Sequence, residues 1–401
     1  MRNLIHPLVV GCTLLAATAA AMAGTSPFDM KSSGVIAIAV YGDSPYGTTP
    51  TDDSQFRATP GFIDSINADP SVSLVLHVGD IHSGKQFCTE AYDRSIFALW
   101  STFRAPLVYT PGDNEWADCH KKTEGGGAYN KLTGNIDYVL DGSGNPIDYA
   151  YGNPVDNLQL IRSIFFANPG YAIADRKLLL SQSQAYDTAH PSDAKYVENV
   201  MWEQSKVLFV ALNIPGGSNN GSDVWYGAPT MTAQQSQEIT ERTGADLRWL
   251  DAAFRRAATD GATAVVIQSQ ADMWDLDGKP ASHIANYKVF IDKIATLSAA
   301  FGKPVLMFNG DSHVYRSDNP LVPGSLCRTE ASVPGAPDVA CADDAYANQP
   351  FGYNVPNFHR VVVHGSTSPL EWLKLTVDPR ANAANQANAV GPFSWKRVIQ
   401  Q

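Results

Sequence analysis

The chain has 401 residues, 44% of them hydrophobic and 10% aromatic, with a formal charge of −11. That is enough apolar material for a substantial core in one large domain or two smaller ones. The acidic balance argues against a nucleic-acid backbone or an anionic membrane surface as the main partner.

The opening stretch, MRNLIHPLVVGCTLLAATAAAMAG, combines Arg2, an apolar run and the small-residue triplet Ala21-Met22-Ala23. This pattern predicts a signal peptide over 1–23, cut after Ala23, and an exported chain, periplasmic or secreted. The run is too short and too rich in Ala for a membrane span. Val9–Cys12 looks like a lipoprotein cleavage box, but the apolar run continues past Cys12, which ranks lipidation below simple export. Export explains the cysteines. Cys88, Cys119, Cys327 and Cys341 remain after cleavage, and an even number in an exported chain points to disulfides. Their spacing is not that of a zinc site. A Cys327–Cys341 bridge would close one long polar loop, and a Cys88–Cys119 bridge would join the loops after two candidate strands.

Residues 34–43, GVIAIAVYGD, form a continuous apolar run that stops at Gly-Asp. Such runs suit strands buried on both faces. A partly helical stretch follows, and then VSLVLHVGD at 72–80, a second run ending in Gly-Asp. TEAYDRSIFALWSTF has helical periodicity, with Ile96, Leu99, Trp100 and Phe103 on one face. APLVYTPGD at 105–113 is the third strand ending in Gly-Asp. Residues 119–195 are irregular and rich in Gly, Asn, Asp and Tyr, with one helical island at NLQLIRSIFFA, and read as an insertion. A hairpin over 196–216 has a second strand ending at Asn213. The amphipathic helix GADLRWLDAAFRRAA, the strand ATAVVIQSQAD, the helix SHIANYKVFIDKIATLSAAF and the strand KPVLMFNGD follow. Residues 317–357 read as one long loop, and FHRVVVHG and EWLKLTV as closing strands. Alternating strands and helices predict an α/β class with much parallel sheet, and 24–401 reads as a single domain.

Four strands thus end in Gly-Asp, at Asp43, Asp80, Asp113 and Asp311. Ligands of open α/β sheets sit at the carboxyl ends of strands, and neighbouring strands lie about 4.8 Å apart, so such side chains can converge. Converging carboxylates raise one another's pKa unless cations offset them, and two divalent ions would balance four such charges.

In order, the motifs GDSPYG, GDIHSG, GDNEW, VVIQSQAD and NGDSHVYR resemble those of the calcineurin-like metallophosphoesterase superfamily, which includes purple acid phosphatases, over residues 35–316. The resemblance implies a four-layer α/β/β/α sandwich and hydrolysis of a phosphate mono- or diester by a water activated between two metals. It implies that Asp43, Asp80 and His313 hold one ion, that Asp80 bridges to a second, and that Asp113, Asp311 and Gln270 complete the second. Pro45 stands where a first-motif His can occur, Asp113 replaces Asn, Asn114 replaces the His that assists the leaving group, Gln270 replaces the fourth-motif His and Asp311 replaces the first His of the last motif. The oxygen-rich set favours Mn²⁺ or Mg²⁺, with Ca²⁺, Fe or Zn²⁺ as further options. His82, and more weakly His120, are candidates for the missing proton donor. Tyr46 and Lys85 are candidate substrate contacts, and Glu115 a residue that orients its neighbours.

Each Gly-Asp alone is plain turn chemistry, and Gln270 is the weakest member of the ligand set, because amide oxygens bind metals weakly. His359 and His364, which flank a late strand, read as structural. GDIHSGKQ imitates a phosphate-binding loop, but Gln86 stands where Ser or Thr is needed and Asp80 would repel phosphates. Two alternatives to catalysis stay open: a metal- or ligand-binding protein that has lost turnover, and a structural Ca²⁺ site.

Overall fold

A computed structural model describes residues 34–174, 177–275, 281–331, 336–341, 352–366 and 371–399. The expected signal peptide, with Cys12, lies outside them.

The first three apolar runs become β1 (Ile36–Tyr41), β2 (Val72–His77) and β3 (Leu107–Tyr109). They pair in parallel, so their connections must cross over one face of the sheet. The crossovers carry α1 (Ser54–Asn67) and α2 (Glu90–Trp100). Thr89 caps α2 by accepting from the Tyr92 N–H, and Ile96 and Trp100 face inward. The insertion holds a small antiparallel pair, β4 (Gly127–Tyr129) and β5 (Ile136–Tyr138), and then α3 (Pro154–Phe165). Asn153 caps α3, and Pro154 sits in its first turn, where no donor is lost.

The second half begins with β6 (Leu180–Ser181), the short turn α4 (Gln182–Ala185), β7 (Val200–Gln204) and β8 (Val207–Ala211). The turn α5 (Gly216–Asn220), α6 (Ala233–Thr259), β9 (Ala264–Gln268), α7 (Ala281–Phe301) and β10 (Val305–Asn309) follow. α6 starts well before Gly244, because Thr232 caps it and its polar first turns carry no apolar stripe to read. The expected long loop instead contains β11 (Arg316–Asp318), β12 (Arg328–Thr329) and β13 (Val339–Ala340). After β14 (Phe358–Val362) and β15 (Glu371–Val377) come three strands the pattern did not announce: β16 (Ala383–Gln386), β17 (Ala389–Gly391) and β18 (Phe393–Ile399).

One sheet has the order β16-β17-β18-β15-β1-β2-β3 and the other β13-β12-β11-β14-β10-β9-β8-β7-β6. Ile38, Leu76, Phe209, Phe308 and Trp395 belong to the core between them. α1, α2 and α3 cover the outer face of the first sheet, where Phe62, Ile96 and Ile161 pack with Tyr41 and Tyr109. α6 and α7 cover the second, where Leu250, Phe254 and Phe290 pack with Val210 and Met307. The molecule is a four-layer α/β/β/α sandwich. Both expected disulfides form, Cys88–Cys119 and Cys327–Cys341.

Candidate metal centre

β1, β2 and β3 run parallel, so Asp43, Asp80 and Asp113 leave one edge of their sheet together. β10 delivers Asp311 and His313 to the same edge from the facing sheet. There the Asp311 N–H donates to Asp43 Oδ1 at 2.9 Å. The backbone is strained to achieve this: Asp43, Asp80, Asp311 and His313 all have positive φ, between 50° and 73°. Such residues cost on the order of 1–3 kcal/mol each, and structures keep them mainly at functional sites. The accompanying glycines are there for space. A Cβ on Gly112 would lie 1.9 Å from Asp80 Oδ1, and one on Gly310 would lie 2.1 Å from Asp43 Oδ2.

Ligand atoms of Asp43, Asp80 and His313 lie within 4.8 Å of one another, the one group among the described residues suited to a metal ion. His313 Nε2 stands 3.4 Å from Asp43 Oδ1. Asp43 is fully buried, and its Oδ2 has no hydrogen-bond partner among the described residues. A buried, unpaired carboxylate oxygen is costly unless a cation meets it. Burial, reinforced by Asp113, Glu115 and Asp43, raises the Asp80 carboxyl well above the ordinary range. Burial pulls the His313 imidazole down, but the hydrogen bond and charge of Asp43, helped by Asp311 and Asp113, outweigh it and leave it raised. The donor set fits one divalent ion.

Tyr46 reaches into this group and does more than line a pocket. Its hydroxyl donates to Asp80 Oδ2 at 2.6 Å and lies 3.3 Å from His313 Nε2. The Asn114 amide nitrogen is 2.9 Å from the Tyr46 hydroxyl, 3.1 Å from Asp80 Oδ2 and 3.0 Å from the His82 carbonyl. Asn114 is therefore a clamp on Asp80 and has no proton to release. The His82 ring is buried, with Nδ1 on the Ser83 carbonyl at 3.1 Å, and burial lowers its pKa to about 4. A buried imidazole held this way is poorly placed to donate to a leaving group. His120 is likewise buried, and its Nδ1 accepts from the Tyr226 N–H at 3.0 Å.

Gln270 is held at both ends of its amide. Its amide nitrogen donates to Asp80 Oδ2 at 3.2 Å and Asp113 Oδ1 at 3.0 Å, while its oxygen accepts from the Gly216 N–H. Turning the amide over would set two donors against each other at Gly216. The oxygen is thus committed to the backbone. Asp113 and Asp311 face each other beside Gly216, where a Cβ would lie 2.5 Å from Asp113 Oδ2 and 2.9 Å from Asp311 Oδ1.

Two supports escaped the sequence reading. Asp272 donates its N–H to Asp311 Oδ2 at 3.1 Å and accepts from Ser312 Oγ at 2.8 Å. Arg360, buried, pairs with both Asp272 and Asp318. An acidic residue two positions after Gln270 was the available signal for the first. Glu115 accepts from the Tyr109 hydroxyl and from the Gly112 N–H, fixing the loop that carries Asp113. A cleft of about 500 Å³ opens over the group, bordered by Tyr46, Ser83, Lys85, Asn114 and His313. Lys85 is the exposed cation at its rim.

No protein-family model and no curated protein matches the chain. Among solved structures it is similar to the purple acid phosphatase isolated from yellow lupin (Lupinus luteus) seeds, at 12% identity and a TM-score of 0.36. The match covers 90% of this chain and 53% of that one, so the chain spans about half the length of that structure.

Proposed function

We propose that the protein is an exported, metal-dependent phosphoric ester hydrolase, a divergent relative of the calcineurin-like metallophosphoesterases. The observation that carries this reading is the convergence of Asp43, Asp80 and His313 from two sheets, with Asp43 Oδ2 buried and unpaired. The ordered motifs and the α/β/β/α architecture support it. The two disulfides support export, since such bonds persist in oxidising compartments.

Asp43, Asp80 and His313 would hold the ion, which supplies Lewis acidity toward a phosphoryl oxygen and activates water at neutral pH. The protein's own contribution is positional. Tyr46 and Asn114 fix the Asp80 carboxylate, and the Asp311 N–H fixes Asp43. Lys85 places a positive charge at the cleft rim, where a phosphate ester would enter. With His82 buried and Asn114 unable to give up a proton, esters whose leaving groups depart without protonation, such as aryl phosphates, are the favoured substrate class. The same features favour a second reading, in which the fold holds metal without turnover.

The test is hydrolysis of aryl phosphate mono- and diesters by the disulfide-intact protein with Mn²⁺, Mg²⁺, Ca²⁺ or Zn²⁺, with Asp80→Asn alongside. Ion-dependent turnover that disappears in Asp80→Asn is the expected result. Bound ion without turnover on any ester would select the second reading.

A further inference from the structure

We infer that the Gln270 carboxamide occupies the place of a second cation, so that the chain holds a single divalent ion. The inference rests on the metal reading of Asp43, Asp80 and His313. It departs from the two-ion arrangement that the motif order implies.

The argument is geometric. A cation shared by Asp80 and Asp113 would have to sit between their facing oxygens, about 2.0–2.2 Å from each. What sits there is the Gln270 NH₂ group, 3.2 Å from Asp80 Oδ2 and 3.0 Å from Asp113 Oδ1. Both of its hydrogens are used. Its oxygen is held by the Gly216 N–H, so the side chain cannot rotate away without leaving that donor unpaired in a buried site. Gly216 is anchored in turn. Gly217, Ser218, Asn219 and Asn220 follow it in a left-handed turn. Asn219 is gripped by the buried Arg242, at 2.6 Å between Nη1 and Oδ1, and the Tyr287 hydroxyl donates to the Pro215 carbonyl at 2.9 Å. An amide offers two partial positive charges at hydrogen-bond distance where a metal would offer two full ones, and it neither exchanges nor dissociates. Asp113 and Asp311 are then held by donors: the Gln270 amide for one, the Asp272 N–H for the other.

The experiment is Mn²⁺ stoichiometry, by titration calorimetry and by metal analysis after dialysis, on the full disulfide-intact chain and on Gln270→Glu. Glutamate keeps the shape and the oxygen toward Gly216 but exchanges the plug for an anion. One Mn²⁺ per wild-type chain and a second in Gln270→Glu is expected. If Gln270→Glu fails to fold by circular dichroism, Gln270→His is measured in its place, with the same expectation. Two Mn²⁺ per wild-type chain overturns the inference while leaving the metal reading intact. A folded variant that still takes one ion overturns the role of the plug. No Mn²⁺ on the wild type overturns the metal reading itself, and the inference with it.

Discussion

At the scale of single residues, burial raises several carboxyl groups around the centre above their ordinary range. Asp148 is the clearest of those outside the metal group. It is buried, its Oδ1 accepts from the Cys88 N–H at 3.0 Å, and its Oδ2 has no partner among the described residues. Burial, with the charge of Asp93 nearby, raises its pKa from 3.8 to about 8. The folded chain therefore keeps a proton that the unfolded chain gives up near pH 4. The favourable contribution is complete below the unfolded value and is lost as pH rises through about 8. Asp148→Asn keeps the acceptor for Cys88 and removes the titration. Denaturant titrations at pH 4.5 and 8.5 should show wild type losing more stability than the variant over that interval, on the order of several kcal/mol. Equal losses would mean that the carboxyl is ionised in the folded state. The sequence announced the Gly-Asp residues because each sits at the end of an apolar run, a local signal. It could not announce Asp148, or the direction in which Gln270 points, because both depend on a donor supplied from far along the chain: the Cys88 N–H for one and the Gly216 N–H for the other.

At the scale of elements, the turn α5 is the feature with the most unusual backbone. Gly217, Ser218, Asn219 and Asn220 have φ between 57° and 61°, a left-handed run that costs L-residues about 1–2 kcal/mol each. Glycine and asparagine are the residues that tolerate it, and side-chain bonds secure it. Asn219 reaches Thr243 and Arg242, Asn220 reaches Glu238, and Ser218 reaches the His283 carbonyl. Strain and side-chain bonding can be separated at Asn219. Both Asn219→Ala and Asn219→Gly lose the side-chain bonds, but only alanine keeps the steric cost of positive φ. Chemical denaturation should place Asn219→Ala about 1 kcal/mol below Asn219→Gly, and equal stability would show that the turn relaxes. GGSNN is a composition that suits such a turn, yet its chirality is invisible without the partners on α6 and α7. The central strands were legible for the opposite reason: β1, β2, β8 and β10 are buried on both faces, and their apolar runs say so. β16 and β17 were not, since Ala, Asn and Gln at a sheet edge show no alternation.

At the scale of the whole molecule, the candidate ion lies between two sheets. Asp43 and Asp80 extend from the seven-stranded sheet and His313 from the nine-stranded one. An ion bound only by the folded chain stabilises it by mass action, by about 2.7 kcal/mol at a hundred times its dissociation constant. For a chain of this length that is a rise of about 3 °C in melting temperature. Asp43 shows why the effect should change sign with the ion. Without a cation its buried Oδ2 is an acceptor unpaired among the described residues, and an amide, which carries no formal charge, is the cheaper group to bury in the same place. Asp43→Asn is therefore expected to melt at or above wild type in the presence of a chelator. In saturating Mn²⁺ the order should reverse, because wild type gains the binding energy and the variant has lost one of its three ligands. Calorimetric melts of both proteins in both conditions decide the matter. A wild-type transition that Mn²⁺ leaves unmoved would remove the ion from the account of this fold. A Mn²⁺-dependent rise shared equally by Asp43→Asn would place the ion elsewhere in the molecule, because Asp43 is the member of the cluster whose buried oxygen no described residue satisfies.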